Sequence, residues 1–191
     1  MRMIDIFSTL GSRLRNFGAD DRSAHIINQA IAANEWFSED DIRMAVDAIC
    51  REFLSREKLE SWLANYNLPS TPRRKVAIIM AGNIPLVGFF DLMCVLMCGH
   101  AAYVKQSHKD SVLINYIISC LKSIAPEIPI YDYAPAEQVD MVIATGGDSA
   151  VAHFRLSYAG LPMLLRGSRH SVAVLDGGET TEEILGLQRD I

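Results

Sequence analysis

The pattern of hydrophobic and polar residues changes near residue 70 and divides the chain into two regions. Before this point, apolar side chains recur at helical spacing. We therefore predict one long amphipathic helix, which begins at a capping box formed by Ser38 and Asp41 and ends near Asn67. A shorter helix, capped by Asp20 or Asp21, is predicted to precede it.

After this point, short apolar runs alternate with amphipathic stretches, which predicts strands joined by helices and hence a parallel sheet in an α/β fold. Strands are predicted at 75–81, 101–105, 128–132, 140–144 and 171–175, with a further candidate at 162–166. Helices are predicted at 85–98, 110–124, 148–158 and 180–189. The predicted organisation is a helical region at 1–70, followed by an α/β domain at 71–191 that we expect to be incomplete.

Charge and hydropathy narrow the range of functions. The chain has 18 Lys and Arg against 23 Asp and Glu, a net charge of −5, so no nucleic-acid-binding surface is predicted. The longest apolar run, at about 84–98, is interrupted by Asp91 and is too short to span a membrane. Asp91 is the one charge of that run, and we expect it to lie at an exposed edge or to have a partner.

The cysteines and histidines do not show the spacing of metal ligands, so no metal site is predicted. The cysteines lie in apolar helical patterns and are predicted to be reduced, buried thiols of a cytoplasmic protein; they are Cys50, Cys94, Cys98 and Cys120. The histidines are His25, His100, His108, His153 and His170.

Asn83 follows the first predicted strand, and Pro85 is predicted to be the first residue of the next helix. An asparagine at the end of a strand can donate a hydrogen bond to an oxygen that gains negative charge during a reaction. The alternative is that Asn83 only caps the helix, and spacing alone favours this alternative.

Two later strand ends also carry candidate ligand-binding residues. Lys105 and Ser107 follow one strand, where a lysine can reach a ribose hydroxyl or a phosphate, or can be an ordinary surface residue. Gly146 and Gly147 open a helix whose first N–H groups can bind phosphate, or they form a plain turn capped by Asp148. Open α/β sheets bind ligands at the carboxyl ends of their strands, so a site is expected there.

Four phrases of the sequence resemble the LuxC-type acyl-CoA reductases, a branch of the aldehyde dehydrogenase superfamily. They are VAIIMAGNIPLVGFFDLMCVLMCGH, YVKQSHKD, DMVIATGGDSAVAHF and RGSRHSVAVLDGGETTEE, in the family's order and spacing. The resemblance extends over about residues 34–191. It implies a Rossmann-like, mostly parallel sheet with flanking helices that binds a nicotinamide cofactor.

The activity implied by this resemblance is reduction of a fatty acyl-CoA, or another acyl thioester, to a fatty aldehyde through an acyl-cysteine intermediate. The family's nucleophilic cysteine lies beyond the segment that matches Ser171–Glu183, so this chain alone is expected to be inactive. Two alternatives stay open: a non-catalytic nucleotide-binding or interaction module with the same fold, and an unrelated α/β protein. A homo-oligomer formed through exposed apolar surface is also expected.

The resemblance also implies roles for individual residues. Asn83 corresponds to the asparagine that hydrogen-bonds the thioester or aldehyde oxygen. The implied cofactor-binding residues are Ile84 and Pro85 beside the nicotinamide, Gly146 and Gly147 at the pyrophosphate, and Lys105 and Ser107 at the adenosine ribose.

Three positions depart from the family's pattern. His108 stands where many aldehyde dehydrogenases have a ribose-binding glutamate, which with Lys105 nearby favours NADPH, although NADH is possible. Gly147 replaces a serine, so a hydroxyl contact to phosphate is missing. Arg166 lies near the position of the general-base glutamate of aldehyde-oxidising members, which suits a thioester that is not hydrolysed.

Overall fold

A computed structural model describes residues 2–67, 71–169 and 171–190. The first region is helical, as predicted: α1 (Met3–Leu14), α2 (Asp21–Ala33), α3 (Glu39–Phe53) and α4 (Arg56–Leu63). The predicted boundary near residue 70 and His170 lie outside the described residues. None of the described helices is long and apolar enough to cross a membrane.

The second region alternates strands and helices. Its elements are β1 (Lys75–Ile79), α5 (Phe89–Met97), β2 (Ala101–Lys105), a short 3-10 turn (His108–Asp110), α6 (Ser111–Ile124), β3 (Ile130–Asp132), β4 (Met141–Thr145), α7 (Asp148–Ser157), β5 (Met163–Arg166) and α8 (Thr181–Asp190). The strands form one sheet in the order β3-β2-β1-β4-β5, and every neighbouring pair is parallel. The predicted α/β fold with a parallel sheet is confirmed.

The strand order indicates where a candidate site lies. Strand β1 lies in the centre, and the chain moves outward from it first through β2 and β3 and then through β4 and β5. A crevice forms at such a reversal, outside the carboxyl ends of the strands. Asn83 follows β1, Lys105 ends β2 and Gly146 follows β4, so all three belong to this edge.

The helical region and one face of the sheet share a single hydrophobic core. Val76 and Ile78 of β1 belong to the same buried cluster as side chains of α1 to α6. Phe7 of α1 contacts Phe89 of α5 edge to face, with ring centroids 6.3 Å apart. The opposite face carries a smaller cluster around Ala77 and Val142, covered in part by α7. The helices α1 to α4 therefore support the sheet directly.

The prediction of one long helix is wrong in one respect, because the segment forms two helices, α3 and α4. The chain turns at Leu54, which is 2% exposed in the core, and the Ser55 hydroxyl then accepts a hydrogen bond from the Lys58 N–H to start α4. The sequence pattern also did not predict α1. The predicted caps at Asp20 and Ser38 are confirmed, since each side chain accepts from the helix backbone.

The strand predicted at 171–175 is also wrong. Val172 and Val174 are each 88% exposed, and the described part of the chain offers this segment no strand pairing. Alternating valines favour an extended backbone, but a strand also needs a neighbour that accepts its hydrogen bonds. The candidate at 162–166 is confirmed as β5, because β4 provides that neighbour.

Candidate functional site

Two clefts lie at the carboxyl edge of the sheet. The Asn83 cleft, of about 760 Å³, is lined by Asn83, Ile84, Val87, Lys109, Thr145, Gly146, Gly147 and Arg166, among others. The Lys105 cleft, of about 370 Å³, is lined by Lys105, Gln106, Ser107, His108, Asn115 and Asp132, among others. The structure thus brings the predicted residues together in two groups. The exception is Pro85, which is buried and outside both linings.

The Asn83 turn, residues 82–88, replaces the predicted start of a helix. Helix α5 begins only at Phe89, with Gly88 as its N-cap. Leu86 has a φ of 58°, in the left-handed region, and a right-handed helix cannot pass through such a residue. The predicted helical position of Pro85 and the helix-capping alternative for Asn83 are therefore wrong. Asn83 is instead exposed at the cleft.

The two glycines after β4, Gly146 and Gly147, differ in their surroundings. A Cβ on Gly146 would lie 2.9 Å from the Cβ of Ala150, so helix packing requires a glycine there. A Cβ on Gly147 would have Ser168 Oγ as its nearest neighbour, at 3.9 Å, so Gly147 keeps an open approach to the start of α7. This start suits an anion, because the first N–H groups of a helix lack intrahelical partners.

Asp148 is not the N-cap of α7, contrary to the alternative considered for the glycine turn. Gly147 is the N-cap, and Asp148 is the first helical residue. The Asp148 Oδ1 atom accepts a hydrogen bond of 3.0 Å from the Ser168 N–H instead. Asp148 therefore fixes the segment after β5 against the start of α7.

Arg166 and Asp91 form an ion pair that the sequence did not assign. Arg166 Nη1 donates to Oδ1 and Oδ2 of Asp91 at 2.7 and 2.6 Å. The Asp91 side chain is 9% exposed and the Arg166 side chain 28%. Of the two expectations for Asp91, a partner is confirmed. The signal for this pair was a single charge within an apolar helix.

The Lys105 cleft contains one acidic residue that the sequence analysis missed. Asp132 ends β3 and pairs in register with Val104, next to Lys105. Gln106 Nε2 donates to Asn115 Oδ1 at 2.7 Å, which orients the amide that lines the same cleft. A polar residue at the end of a predicted strand was the available signal for Asp132, as it was for Lys105.

The cysteines are poor candidates for a nucleophile. All four lie within the described chain and none forms a disulfide. Burial raises the pKa of the Cys50 thiol to about 11 and that of Cys94 to about 12, so both stay protonated and weakly nucleophilic. Cys50, Cys94 and Cys120 are half-buried and Cys98 is exposed, so the prediction that the cysteines are buried is wrong. The described residues contain no group of three His, Cys, Asp or Glu side chains placed to hold a metal.

Asp110 is a buried acid that accepts a hydrogen bond from the Leu86 N–H of the Asn83 turn. It is 3% exposed, and burial raises the pKa of its carboxyl from 3.8 to about 7, against a smaller opposing effect of the Leu86 N–H. The folded chain therefore binds a proton that the unfolded chain does not hold between about pH 4 and pH 7.

We expect binding of this proton to increase the free energy of unfolding as the pH falls from 8 towards 5. The gain reflects proton binding by the folded state alone, and it is lost again as the pH rises through the folded pKa of about 7. Thermal unfolding of the wild type and Asp110→Asn across this range measures it. The variant should show a flatter pH dependence, and an unchanged dependence would contradict the assignment to Asp110.

Comparisons with known proteins agree with this architecture. The family model described as acyl-CoA reductase (LuxC) matches residues 19–191. A long-chain acyl-protein thioester reductase of Photorhabdus laumondii subsp. laumondii is 22% identical, over 76% of this chain and 34% of that protein. The crystal structure of a double mutant of Staphylococcus aureus betaine aldehyde dehydrogenase with NAD+ has a TM-score of 0.59 at 13% identity, over 85% of this chain and 37% of that one.

The structural likeness shows an aldehyde dehydrogenase-like fold. The chain spans about a third of the length of the curated relative that it matches. The family model covers nearly the whole chain and includes the residues of both clefts. The chain therefore belongs to the LuxC acyl-CoA reductase family.

Proposed function

We propose that this chain is the cofactor-binding part of an enzyme that reduces a fatty acyl thioester to an aldehyde with NADPH. The nucleophilic cysteine of the acyl-enzyme would lie outside this chain, which alone is inactive. The observation that carries the proposal is that Asn83, Gly147 and Arg166 line one cleft at the strand-order reversal of a LuxC-family chain.

The two clefts fit a dinucleotide. The open approach at Gly147 and the start of α7 suit a pyrophosphate, and Lys105 with Ser107 suits an adenosine ribose. Ile84, which is 55% exposed, would contact the nicotinamide. Pro85 is buried, so we assign it to shaping the turn beneath Ile84. The cofactor supplies the hydride when it is bound.

Asn83 would bind the thioester oxygen. Its side chain is exposed at the Asn83 cleft, and its amide N–H is a donor for an oxygen that gains negative charge when a nucleophile attacks the carbonyl. Such a donor lowers the barrier only if it is held in place before the reaction, which makes the turn that carries it important.

We favour NADPH over NADH on the charges of the Lys105 cleft. Lys105 and His108 can both meet a 2′-phosphate, whereas Asp132 would repel one and bind a ribose hydroxyl. One lysine cation and a histidine ring N–H that can donate to the phosphate, against one carboxylate, support NADPH. The NAD+ of the betaine aldehyde dehydrogenase crystal belongs to a protein that is only 13% identical.

Calorimetric titration of this chain with NADPH and NADH tests the proposal. We expect NADPH to bind more tightly, and Lys105→Ala to weaken NADPH binding by about tenfold, as expected for one charge-assisted hydrogen bond. Lys122→Ala is the matched control, because Lys122 is an exposed lysine in the last turn of α6. Equal binding by the wild type and Lys105→Ala would contradict the role of Lys105.

A non-catalytic module would bind the cofactor in the same way. Thioester reduction by the full-length protein separates this alternative from a reductase. The reductase requires the activity to fall by about 100-fold in Asn83→Ala, the usual effect of losing an oxyanion donor, with little change in NADPH affinity. A full-length wild type without any thioester reduction would favour the module.

We also propose that the chain forms a homo-oligomer through its exposed apolar side chains. Val172 and Val174 are 88% exposed and Leu156 is 81% exposed, and a second copy that covered these side chains would remove apolar surface from water. Light scattering should give a mass above that of one chain. A monomer at all concentrations would contradict this proposal.

A further inference from the structure

The Asn83 turn contains a strained backbone conformation that other segments of the chain must stabilise. Leu86 has a φ of 58°, which is uncommon and strained for a residue with a side chain. Its N–H donates to Oδ2 of Asp110 at 2.7 Å, in a buried environment. Asp110 lies 24 positions further along the chain, so this contact joins the Asn83 turn to the segment that carries Ser107 and His108.

Asp110 is an unfavourable residue for the core in any other role. Its side chain is buried, and Oδ1 has no hydrogen-bond partner within the described residues. A buried polar atom without a partner destabilises the folded state, and such atoms in native structures call for a specific explanation. The contact with the Leu86 N–H provides one, because it stabilises the strained turn beside Asn83.

The same turn is held from the other side by the loop between α2 and α3. Asn34 is 6% exposed, and its Nδ2 donates to the carbonyl of Gly82 at 3.2 Å. Its Oδ1 accepts a hydrogen bond of 3.1 Å from the backbone N–H of Trp36. Both the oxygen and the nitrogen of the side-chain amide therefore have a partner, which defines the orientation of the amide. The peptide bond that leads into Asn83 is therefore fixed by the helical region.

Close packing joins the three segments into one unit. A Cβ on Gly82 would lie 2.5 Å from Ser107 Oγ and 3.1 Å from the Cβ of Lys109, so only a glycine allows this approach. The Lys109 ammonium lies 4.5 Å from the centre of the Trp36 ring, a cation–π contact. The Asn83 turn thus has the Asn34–Trp36 loop and the Ser107–Asp110 segment as direct neighbours.

We propose that Asn34 and Asp110 are positioning residues that hold the Asn83 turn in its reactive geometry. Asn34 fixes the peptide before Asn83, and Asp110 fixes the strained residue three positions after it. The helical region thereby becomes part of the machinery of the site. The two contacts fix the turn whether or not the chain takes part in a reaction. Their importance for catalysis rests on the proposed role of Asn83.

Amide hydrogen exchange on this chain tests the part of Asp110. Asp110→Leu removes the acceptor at similar volume, whereas Asp110→Asn keeps an oxygen that can accept from the Leu86 N–H. We expect exchange at Leu86 to be at least tenfold faster in Asp110→Leu than in Asp110→Asn, because only the Leu86 N–H loses its acceptor. Exchange at Val142 in the central strand β4 should stay equal in the two variants. Equal exchange at Leu86 would overturn the role of Asp110.

Asn34→Asp tests the contact between Asn34 and the Gly82 carbonyl. It also decides the proposal if Asp110→Leu fails to fold. This substitution keeps an acceptor for the Trp36 N–H and removes the donor to the Gly82 carbonyl. The ¹⁵N resonance of Asn83, which reports on the Gly82–Asn83 peptide bond, should shift while that of Trp36 changes little. An unchanged Asn83 resonance would overturn the role of Asn34.

Titration with NADPH separates this inference from the proposed function. If Ile84 contacts the nicotinamide, Asp110→Leu should bind NADPH about tenfold more weakly than Asp110→Asn, with equal binding contradicting the link to the cofactor. If the wild type binds no NADPH, the proposed function fails, while the exchange and resonance results still decide whether Asn34 and Asp110 hold the turn.

Discussion

Phe7→Ala is expected to lower the free energy of unfolding by about 3–5 kcal/mol, the usual effect of removing a fully buried aromatic ring. Phe7 is 0% exposed and Phe89, its partner in an edge-to-face contact, is 1% exposed. Because this contact joins α1 to the helix after the Asn83 turn, the loss should destabilise the sheet as well as the helical region. Chemical denaturation measures the change.

Two probes separate a shared core from two independent domains. Both tryptophans, Trp36 and Trp62, lie in the helical region, so their fluorescence reports on the folding of this region and on its contacts with Lys109 and Phe90. Hydrogen exchange in β4 reports on the sheet. A shared core predicts that both probes lose the same stability in Phe7→Ala, and Met44→Ala, at a position 66% exposed, should change neither. A loss confined to the fluorescence transition would show that residues 1–70 unfold separately.

Arg166→Ala is expected to cost about 3–5 kcal/mol of stability, because it leaves the carboxylate of Asp91 buried without its cation. The pair is short, with Arg166 Nη1 2.6 and 2.7 Å from the two carboxylate oxygens. The Arg166 side chain is 28% exposed, which places the expected loss at the lower end of this range. Denaturant unfolding of the single variant gives the value.

A double-mutant cycle distinguishes the ion pair from a simple loss of packing. Asp91→Leu with Arg166→Met removes both charges at similar volume, and we expect the double variant to recover most of the stability that Arg166→Met alone loses. Arg155→Ala is the matched control, since Arg155 is an exposed arginine of α7. If the effects of the Asp91 and Arg166 substitutions simply add, the two side chains do not stabilise the chain as a pair.

The elements could be predicted where local chemistry decides them. The capping side chains of Asp20 and Ser38 bond within three residues, and the apolar runs of β1, β2 and β4 are buried on both faces of a parallel sheet. Predictions failed where a distant partner decides the outcome. The 171–175 segment has the composition of a strand, but the part of the chain that the structure describes gives it no neighbour to pair with.

The candidate site shows the same difference between features set by local sequence and features set by distant partners. Lys105, Gly146 and Asn83 could be predicted to lie at one edge, because each ends or follows a strand and parallel strands bring their carboxyl ends together. Arg166 and Asp110 could not be assigned, because their partners Asp91 and Leu86 lie 75 and 24 positions away. No local pattern of side chains encodes a contact across that separation.

The α/β fold class, the edge of the candidate site and the resemblance to the LuxC family could all be predicted from the sequence, because hydrophobic periodicity and short motifs are local properties. The position of Asn83 in a strained turn, where it does not cap a helix, depends on how distant segments pack together. The same packing forms the hydrogen bonds of Asn34 and Asp110 to this turn and the ion pair of Asp91 with Arg166. These outcomes depend on burial and on hydrogen bonds between distant segments, which exist only once the helical region has packed against the sheet.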